Sequence, residues 1–331
     1  MKCTLKDLAR ETGFSVSTVS RFLCGKRRYY NQKEKFIFDT ANKYNYPYIQ
    51  NFYNNGIKLK ISLITTIRKG EFFSALLSDF HLAAKKSNCD IEVIDIEKED
   101  FIYNKIEYFA ENKDGLCILF PDLNKEDCNI IESYINKIPI LSLSPIIDAS
   151  VNTITFDNYK GGYLAAKHLK ELGYDNIGII SGDDTVFEAV QRKNGFIDYL
   201  ASNNMKCQWE FKGDYSLESG NKAFIDFHSK KLSNIGIFGV NDYMCFGFMK
   251  LALLSGINIP EKLSIIGFDN TPFCNNTIPE LSSISTNFIE LGERALSSLE
   301  KSFINYNKTE LFTNLVPVEL IERSSTRDLK N

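Results

Sequence analysis

Short strand-like segments alternate with helical patterns along most of this chain, from about residue 59 to its C-terminus. The segments 61–65, 116–120 and 177–180 are rich in Ile and Leu, and each precedes a stretch with the periodicity of an amphipathic helix. Short, nearly continuous apolar strands between helices are typical of parallel sheets that helices cover on both faces. The order of segments therefore predicts an α/β body with doubly wound parallel sheets.

The alternation runs through the body twice, which predicts two subdomains of similar size. We expect an N-lobe of about residues 59–156 plus 288–314, and a C-lobe of about residues 157–287 plus 315–331. Ligands of doubly wound sheets bind outside the carboxyl ends of the strands, and pockets are common where two domains meet. The sequence therefore predicts a small-molecule cleft between the lobes.

The basic charge of the chain is concentrated at its N-terminal end. Residues 1–60 carry twelve Lys and Arg against four Asp and Glu, a net charge of +8, although the whole chain has a net charge of −3. This asymmetry indicates a polyanion-binding head on an acidic body. A solvated basic face that binds nothing is the alternative.

Several protein classes are disfavoured by the sequence. No segment approaches the roughly 20 apolar residues that span a bilayer, and residues 1–11 lack the apolar core of a signal peptide. We therefore expect a soluble, cytoplasmic protein without membrane contact. The eight cysteines form no CxxC pair and none sits beside a histidine at ligand spacing, so we expect reduced thiols and no metal or cofactor. We expect no enzyme either, since HExxH, GxSxG and phosphate-loop signatures are absent.

The first 23 residues have the pattern of a helix-turn-helix. Thr4 and Asp7 match a helix capping box, and Gly13 is suited to end that helix after about two turns. Ser15 can cap a second helix, whose outward face then carries small polar groups and one arginine, namely Ser17, Ser20 and Arg21. Small groups permit close approach to a DNA major groove, and a guanidinium fits the guanine edge.

A basic segment and a third helix complete the predicted head. Lys26, Arg27 and Arg28 are suited to phosphate contact. Asn31 opens a second capping box, and helical periodicity continues to about Tyr44. We therefore predict a small all-α DNA-binding domain at residues 1–45, followed by a linker at 46–58 and the two-lobed domain at 59–331.

Residues 4–23 resemble the N-terminal signature of the lactose/galactose repressor family over an almost unbroken stretch. The resemblance implies that Val16, Ser17 and Arg21 read bases. It also implies that Thr4, Thr18 and the backbone near Ser15 hold phosphates.

The linker departs from the family pattern. Residues 45–56 carry no charge and no leucine, whereas the family's hinge helix has basic residues and presents a leucine to the minor groove. The family's wedge residue is therefore not carried over to this chain.

The body resembles the sensor of the same family, which shares its fold with periplasmic sugar-binding proteins. The resemblance is clearest at 177–182, 192–196, 240–242 and 265–270. It implies that a ligand contacts a set of polar and aromatic side chains. These are Phe72, Phe73, Phe156, Arg192, Asn241, Asp269 and Thr286.

Each of these side chains also has an ordinary structural interpretation. Arg192 could form a surface salt bridge, and Asp269 could be a turn residue. Asn241 or Asp242 could cap the following helix, with Asp242 the favoured cap. The phenylalanines could be core residues, and Ser144 stands where some sugar-binding relatives have an acid.

The sequence thus predicts a sequence-specific transcription regulator, a repressor by resemblance, that binds double-stranded operator DNA as a homodimer, with a tetramer as the alternative. A sugar or sugar phosphate is the favoured effector, with a nucleobase second. The alternatives are a sugar- or nucleobase-binding module without DNA regulation, an enzyme acting on a sugar or nucleoside, and a regulator that has lost effector control.

Overall fold

A computed structural model describes residues 3–23, 32–47, 58–68, 70–146, 151–304 and 311–327. Three predictions lie outside these ranges: phosphate contact by Lys26, Arg27 and Arg28, the capping box at Asn31, and most of the linker at 46–58.

The N-terminal head contains three helices, α1 at Leu5–Thr12, α2 at Val16–Leu23 and α3 at Gln32–Lys43. The capping box predicted for α1 is confirmed. Thr4 Oγ1 accepts a hydrogen bond from Asp7 N at 3.3 Å, and the Asp7 carboxylate accepts one from Thr4 N at 2.9 Å. These bonds satisfy amide groups that have no partner inside the helix.

The turn between α1 and α2 depends on Gly13 and Ser15. Gly13 has a φ of 73°, which glycine adopts at little cost. Ser15 Oγ then accepts a hydrogen bond from Thr18 N at 3.1 Å, as predicted for a helix cap. Leu8 and Val19 are fully buried and hold the two helices together.

The third helix packs on a helix from the far end of the chain, α12 at Phe288–Ile304. The rings of Phe38 and Phe303 stack with their centroids 4.7 Å apart, and Phe38 is fully buried. Stacked aromatic pairs stabilise an interface beyond the apolar area that they bury. The head is therefore fixed to part of the body by side-chain packing.

The first sheet has the strand order β11-β5-β4-β3-β1-β2, where β11 is Thr313–Val316, and strands β1 to β5 pair in parallel. Helices precede or follow most of its strands, as predicted. The elements are β1 Leu59–Thr65, α4 Glu71–Lys86, β2 Cys89–Asp95, α5 Lys98–Asp100, a π-helical turn Phe101–Lys105, α6 Ile106–Asn112, β3 Gly115–Leu119, α7 Lys125–Glu132, β4 Ile140–Ser142 and β5 Asn152–Phe156.

The second sheet has the order β12-β10-β9-β8-β6-β7, with only the β10–β12 pair antiparallel among its described pairs. Its core is rich in aromatic residues, including Trp209, Phe227 and Phe248. The elements are α8 Asn158–Glu171, β6 Asn176–Ser181, α9 Phe187–Ser202, β7 Cys207–Lys212, α10 Leu217–Ser229, β8 Ile235–Gly239, α11 Asp242–Leu254, β9 Leu263–Asp269, a 3-10 turn Pro272–Asn276, β10 Ser282–Thr286, α12, β11 Thr313–Val316 and β12 Val318–Ile321.

The chain divides into two compact units. The first unit comprises Met1–Ile67, Asp79–Ile154 and Gly292–Thr313, and the second comprises Arg68–Ser78, Thr155–Leu291 and Asn314–Asn331. Apart from shifts of a few residues at other boundaries, these units differ from the predicted domains in two respects. Residues 68–78 belong to the second unit although the sequence assigned them to the N-lobe, and the head is grouped with the first unit, consistent with the contact between Phe38 and Phe303.

Candidate functional sites

The predicted DNA-reading side chains lie together on the outward side of α2 and on the turn before it. Val16, Ser17 and Arg21 are exposed, whereas Ser20 is half-buried. The opposite side of α2 is buried through Val19. The helix therefore presents one short polar face with a single arginine to solvent.

Three hydroxyl groups meet at the N-terminus of α2. Ser15 Oγ lies 2.8 Å from Ser17 Oγ and 2.8 Å from Thr18 Oγ1. The N-terminus of a helix favours anions such as phosphate. Thr4, which is also exposed, differs because its hydroxyl donates to Asp7 at 2.6 Å, so a phosphate would compete with the capping box for it.

The predicted effector side chains of the second unit lie mainly at the carboxyl ends of its strands. Asn241 follows β8, Asp269 ends β9 and Thr286 ends β10. Thr286 Oγ1 donates to the Asp269 carbonyl at 3.0 Å, so these two residues are in contact. Parallel strands bring such residues to one edge of a sheet.

Arg192 reaches this edge from α9. Helix α8 approaches α9 so closely that a Cβ on Gly162 would lie 1.8 Å from the Arg192 carbonyl oxygen. Arg192 is 5% exposed. Its side chain donates from Nε to Asn158 Oδ1 at 2.8 Å and from Nη1 to the Val240 carbonyl at 2.6 Å, and its guanidinium carbon lies 3.7 Å from the centroid of the Phe268 ring. The alternative of a surface salt bridge is therefore wrong.

Asp269 faces Arg192 but is poorly satisfied. Its Oδ1 lies 3.3 Å from Arg192 Nη1, yet accepts no hydrogen bond from the described part of the chain. Burial raises the pKa of Asp269 above its ordinary value, and the nearby Asp242 carboxylate raises it further, although Arg192 opposes the shift. Asp269 also has a φ of 104°, which is uncommon for a residue with a side chain.

Asn241, rather than Asp242, caps α11. Asn241 Oδ1 accepts a hydrogen bond from Met244 N at 3.0 Å, so the preference for Asp242 as the cap is wrong. The Asp242 carboxylate is buried and instead accepts from Ser283 Oγ at 2.6 Å and from Thr271 N at 2.8 Å. Burial raises the pKa of Asp242, and these hydrogen bonds oppose the rise. Asp242 therefore fixes Thr271 in the loop that follows Asp269, the last residue of β9.

The predicted aromatic residues form one group around Phe288, which the sequence did not single out. The Phe288 ring centroid lies 5.4 Å from that of Phe72 and 5.4 Å from that of Phe156. Phe73 joins through Phe72, at 5.3 Å. Phe156 is buried, whereas Phe72 and Phe73 are half-buried and retain accessible surface.

Tyr215 is a second residue that the sequence did not single out. Its hydroxyl is buried and has no hydrogen-bond partner among the described residues, and its carbonyl accepts from Asn241 Nδ2 at 3.1 Å. Burial raises the pKa of Tyr215, and the charges of Glu188 and Asp269 raise it further while Arg192 lowers it. The only signal in the sequence is its place before α10, which does not by itself indicate a ligand site.

Within the described ranges, no group of three or more His, Cys, Asp or Glu could hold a metal ion, and no helix is long and apolar enough to cross a membrane. Ser144 is fully buried in the first unit, and its hydroxyl finds no hydrogen-bond partner in the ranges that the structure covers.

Comparison with known proteins gives consistent results for sequence and fold. Residues 166–326 match the periplasmic binding protein-like domain family. The chain is 25% identical over 334 residues to the HTH-type transcriptional repressor PurR of Mannheimia succiniciproducens, covering 98% of this chain and 99% of that protein.

Two solved structures have the same fold. The lac repressor dimer bound to operator and the anti-inducer ONPF superposes with a TM-score of 0.74 at 23% identity, covering 99% of this chain and 100% of the repressor chain. A LacI family transcriptional regulator from Enterococcus faecium with bound ribose superposes with a TM-score of 0.70 at 23% identity, covering 82% of this chain and 99% of that chain.

Proposed function

We propose that this chain is a member of the lactose/galactose repressor family and a transcription repressor that binds operator DNA under the control of a small-molecule effector. The observation that carries the proposal is the exposed face of α2, where Val16, Ser17 and Arg21 stand beside a helix N-terminus rich in hydroxyl groups. The relatives are transcriptional regulators, and we propose that this chain has no enzymatic activity. We place it in the cytoplasm with the DNA that it reads.

In this proposal, α2 enters the major groove. Val16, Ser17 and Arg21 contact base edges with Ser20 beside them, and Arg21 pairs with a guanine. Ser15 and Thr18, at the N-terminus of α2, hold a phosphate together with the backbone. We assign further phosphate contacts to Thr4 and to Lys26, Arg27 and Arg28, because neutralisation of phosphates supplies much of the affinity for DNA.

An exposed apolar face on the second unit supports a homodimer, the form in which the lac repressor was solved on its operator. Leu253 is 38% exposed and lies seven residues after Phe246, so both are on one side of α11. The Phe246 ring packs at 5.0 Å on Phe273, which is 43% exposed. Leu254 and Ile278, in or next to the same two segments, are exposed as well. A second copy that covered this face would place two heads on two half-sites of an operator.

We assign the effector to the carboxyl edge of the second sheet. Arg192, Asn241, Asp269 and Thr286 supply donors and acceptors for hydroxyl groups there, and the unsatisfied Asp269 Oδ1 supports this assignment. We assign an apolar wall for the ligand to Phe72, Phe73 and Phe156. A sugar-like effector is consistent with the ribose found in the enterococcal relative.

Fluorescence anisotropy tests this function. The purified chain is titrated against DNA from upstream of its own gene and against a scrambled duplex at physiological salt. We expect binding to the specific duplex to be at least about a thousandfold tighter. Arg21→Ala should abolish most of that preference, whereas the matched control Arg10→Ala, on the exposed side of α1, should retain it.

Equal, weak and steeply salt-dependent binding to both duplexes would show that the head is a general phosphate binder. That result would favour the alternative function, a small-molecule-binding module without DNA regulation.

A further inference from the structure

The residues at the start of α4 approach the two elements that carry the exposed apolar face of the second unit. Glu71 Oε2 accepts a hydrogen bond from Phe273 N at 3.1 Å, across 202 residues of sequence. A Cβ on Gly70 would lie 3.8 Å from the ring of Tyr243, in the first turn of α11. Tyr243 and Phe246 are three residues apart, so both lie on one side of α11. The start of α4 therefore reaches both elements that form the contact between Phe246 and Phe273.

The loop that carries Phe273 is fixed at two other points by a different side chain. Thr271 N donates to the Asp242 carboxylate at 2.8 Å, and Cys274 Sγ donates to the same carboxylate at 3.2 Å. Asp242 is buried, so these contacts anchor the inner side of the loop. Phe273 lies between the two and is instead 43% exposed. Glu71 thus holds the outer side of the loop, at the residue that presents an aromatic ring to solvent.

Glu71 has an ordinary structural role that does not account for this contact. It lies in the first turn of α4, where the helix N-terminus favours an acid. Glu218 occupies the same place in α10, and its carboxylate pairs with Lys222 one turn later at 3.1 Å. The Glu71 carboxylate instead accepts from a backbone amide of another element. Hydrogen bonds to carboxylates are among the stronger ones in proteins, so this bond is suited to fix the position of Phe273.

The same turn of α4 carries part of the proposed effector wall. Phe72 and Phe73 follow Glu71 directly, and both are half-buried with accessible surface. At the other end of the hydrogen bond, Phe273 follows four residues after Asp269, the proposed acceptor for the effector. Both partners of the bond are therefore close in sequence to residues that we assign to the effector site.

We propose that Glu71 is a positioning residue for the homodimer, and that its hydrogen bond to Phe273 N fixes the Phe273 ring in the face that a second copy covers. The inference rests on the dimer of the proposed function. A side chain that is already fixed loses less conformational freedom when two surfaces associate, so it strengthens their contact. Because Glu71 stands beside Phe72 and Phe73, the strength of the dimer is set in part from the segment that carries the proposed effector wall.

Subunit exchange in the full chain, without DNA or a ligand, tests this role. Donor-labelled and acceptor-labelled dimers of one variant are mixed at a temperature at which wild-type exchange is complete within hours, and the rise in energy transfer gives the dissociation rate. Interface substitutions act mainly on dissociation, so we expect Glu71→Ala and Phe273→Ala each to exchange about tenfold faster than the wild type. Glu71→Gln keeps a side-chain oxygen that can accept from Phe273 N, and it should exchange at nearly the wild-type rate. The matched control Glu218→Ala should also exchange at the wild-type rate.

The possible results separate the role of Glu71 from the dimer itself. Sedimentation of the wild type as a single chain would overturn the proposed dimer and the role of Glu71 with it. If the wild type is a dimer, the role of Glu71 alone fails when Glu71→Ala exchanges at the wild-type rate, when Glu218→Ala exchanges as fast as Glu71→Ala, or when Glu71→Gln restores nothing. Exchange of Phe273→Ala at the wild-type rate would place the interface elsewhere and would also overturn this role.

Discussion

Arg192 and Asp269 form a buried ion pair in which Nη1 and Oδ1 lie 3.3 Å apart. The arginine donates hydrogen bonds from two of its nitrogens, whereas Asp269 Oδ1 accepts none from the described residues. The asymmetry has a structural origin. Arg192 is fixed by Asn158 and the Val240 carbonyl, and it stacks on Phe268. The position of the Asp269 side chain is set by a backbone with a positive φ, and its Oδ1 remains available as an acceptor.

Removal of the Arg192 side chain should therefore destabilise the folded protein even when no ligand is bound. At a pH at which the Asp269 carboxyl is ionised in the folded protein, Arg192→Ala leaves this buried carboxylate without its counter-charge, which typically lowers the free energy of unfolding by about 3–5 kcal/mol. Denaturant unfolding measures the loss. The double variant Arg192→Ala/Asp269→Asn should recover part of it, because no unpaired charge remains; strictly additive losses would show that the pair is not coupled.

Because of Asp269, the stability of the ligand-free protein should decrease as the pH rises. Since the pKa of Asp269 in the folded protein is raised, the folded state retains a proton that the unfolded chain has already lost above the ordinary value of 3.8. Stability from this group is therefore fully present below pH 3.8 and is lost as pH rises until the folded carboxyl ionises. Asp269→Asn should remove this component.

Urea unfolding at several pH values between 4 and 8 tests this prediction. The free energy of unfolding of the wild-type chain, minus that of Asp269→Asn, should become smaller as pH rises. A difference that grows with pH would mean that the folded state favours the ionised carboxylate.

Two substitutions of Asn241 should distinguish its role as the cap of α11 from its proposed contact with the ligand. Asn241→Ala removes the acceptor for Met244 N and should cost about 1 kcal/mol of stability. Asn241→Ser is also a good cap and should keep most of that stability, but it loses the amide donor to the Tyr215 carbonyl. Thermal unfolding measures the first effect and effector affinity the second. Equal destabilisation by both variants would show that the capping hydrogen bond is not the main contribution of Asn241 to stability.

Much of the fold follows from local sequence patterns. The capping box of Thr4 and Asp7 and the left-handed Gly13 depend on residues a few positions apart, so their chemistry is visible in the sequence. Most strands of both sheets were recognisable as short apolar runs between helices. β7 at Cys207–Lys212 was missed because it is an edge strand with alternating burial, and the sequence CQWEFK has no continuous apolar run.

The candidate effector site was less predictable, because it depends on contacts between distant segments. The resemblance to a family predicted roles for Arg192 and Asp269, but it could not predict that Asp269 Oδ1 accepts no hydrogen bond from the described residues. Asn241 and Asp242 are adjacent acceptors, and only the direction of the chain after β8 determines which one caps α11. Tyr215 and Phe288 have no distinctive neighbours in the sequence, and their roles arise from packing alone.

The stacking of Phe38 on Phe303 predicts that the head and helix α12 stabilise each other. Phe38→Ala and Phe303→Ala should each lower the free energy of unfolding by about 3–5 kcal/mol, the usual cost of removing a buried phenylalanine ring. Because the two rings contact each other at 4.7 Å, the double variant should lose less than the two single losses combined, by about 0.5–1.5 kcal/mol. Phe36→Ala, on the exposed side of α3, is the control and should cost little. If the two losses simply add, the contact between the two rings contributes nothing to stability beyond the burial of each ring.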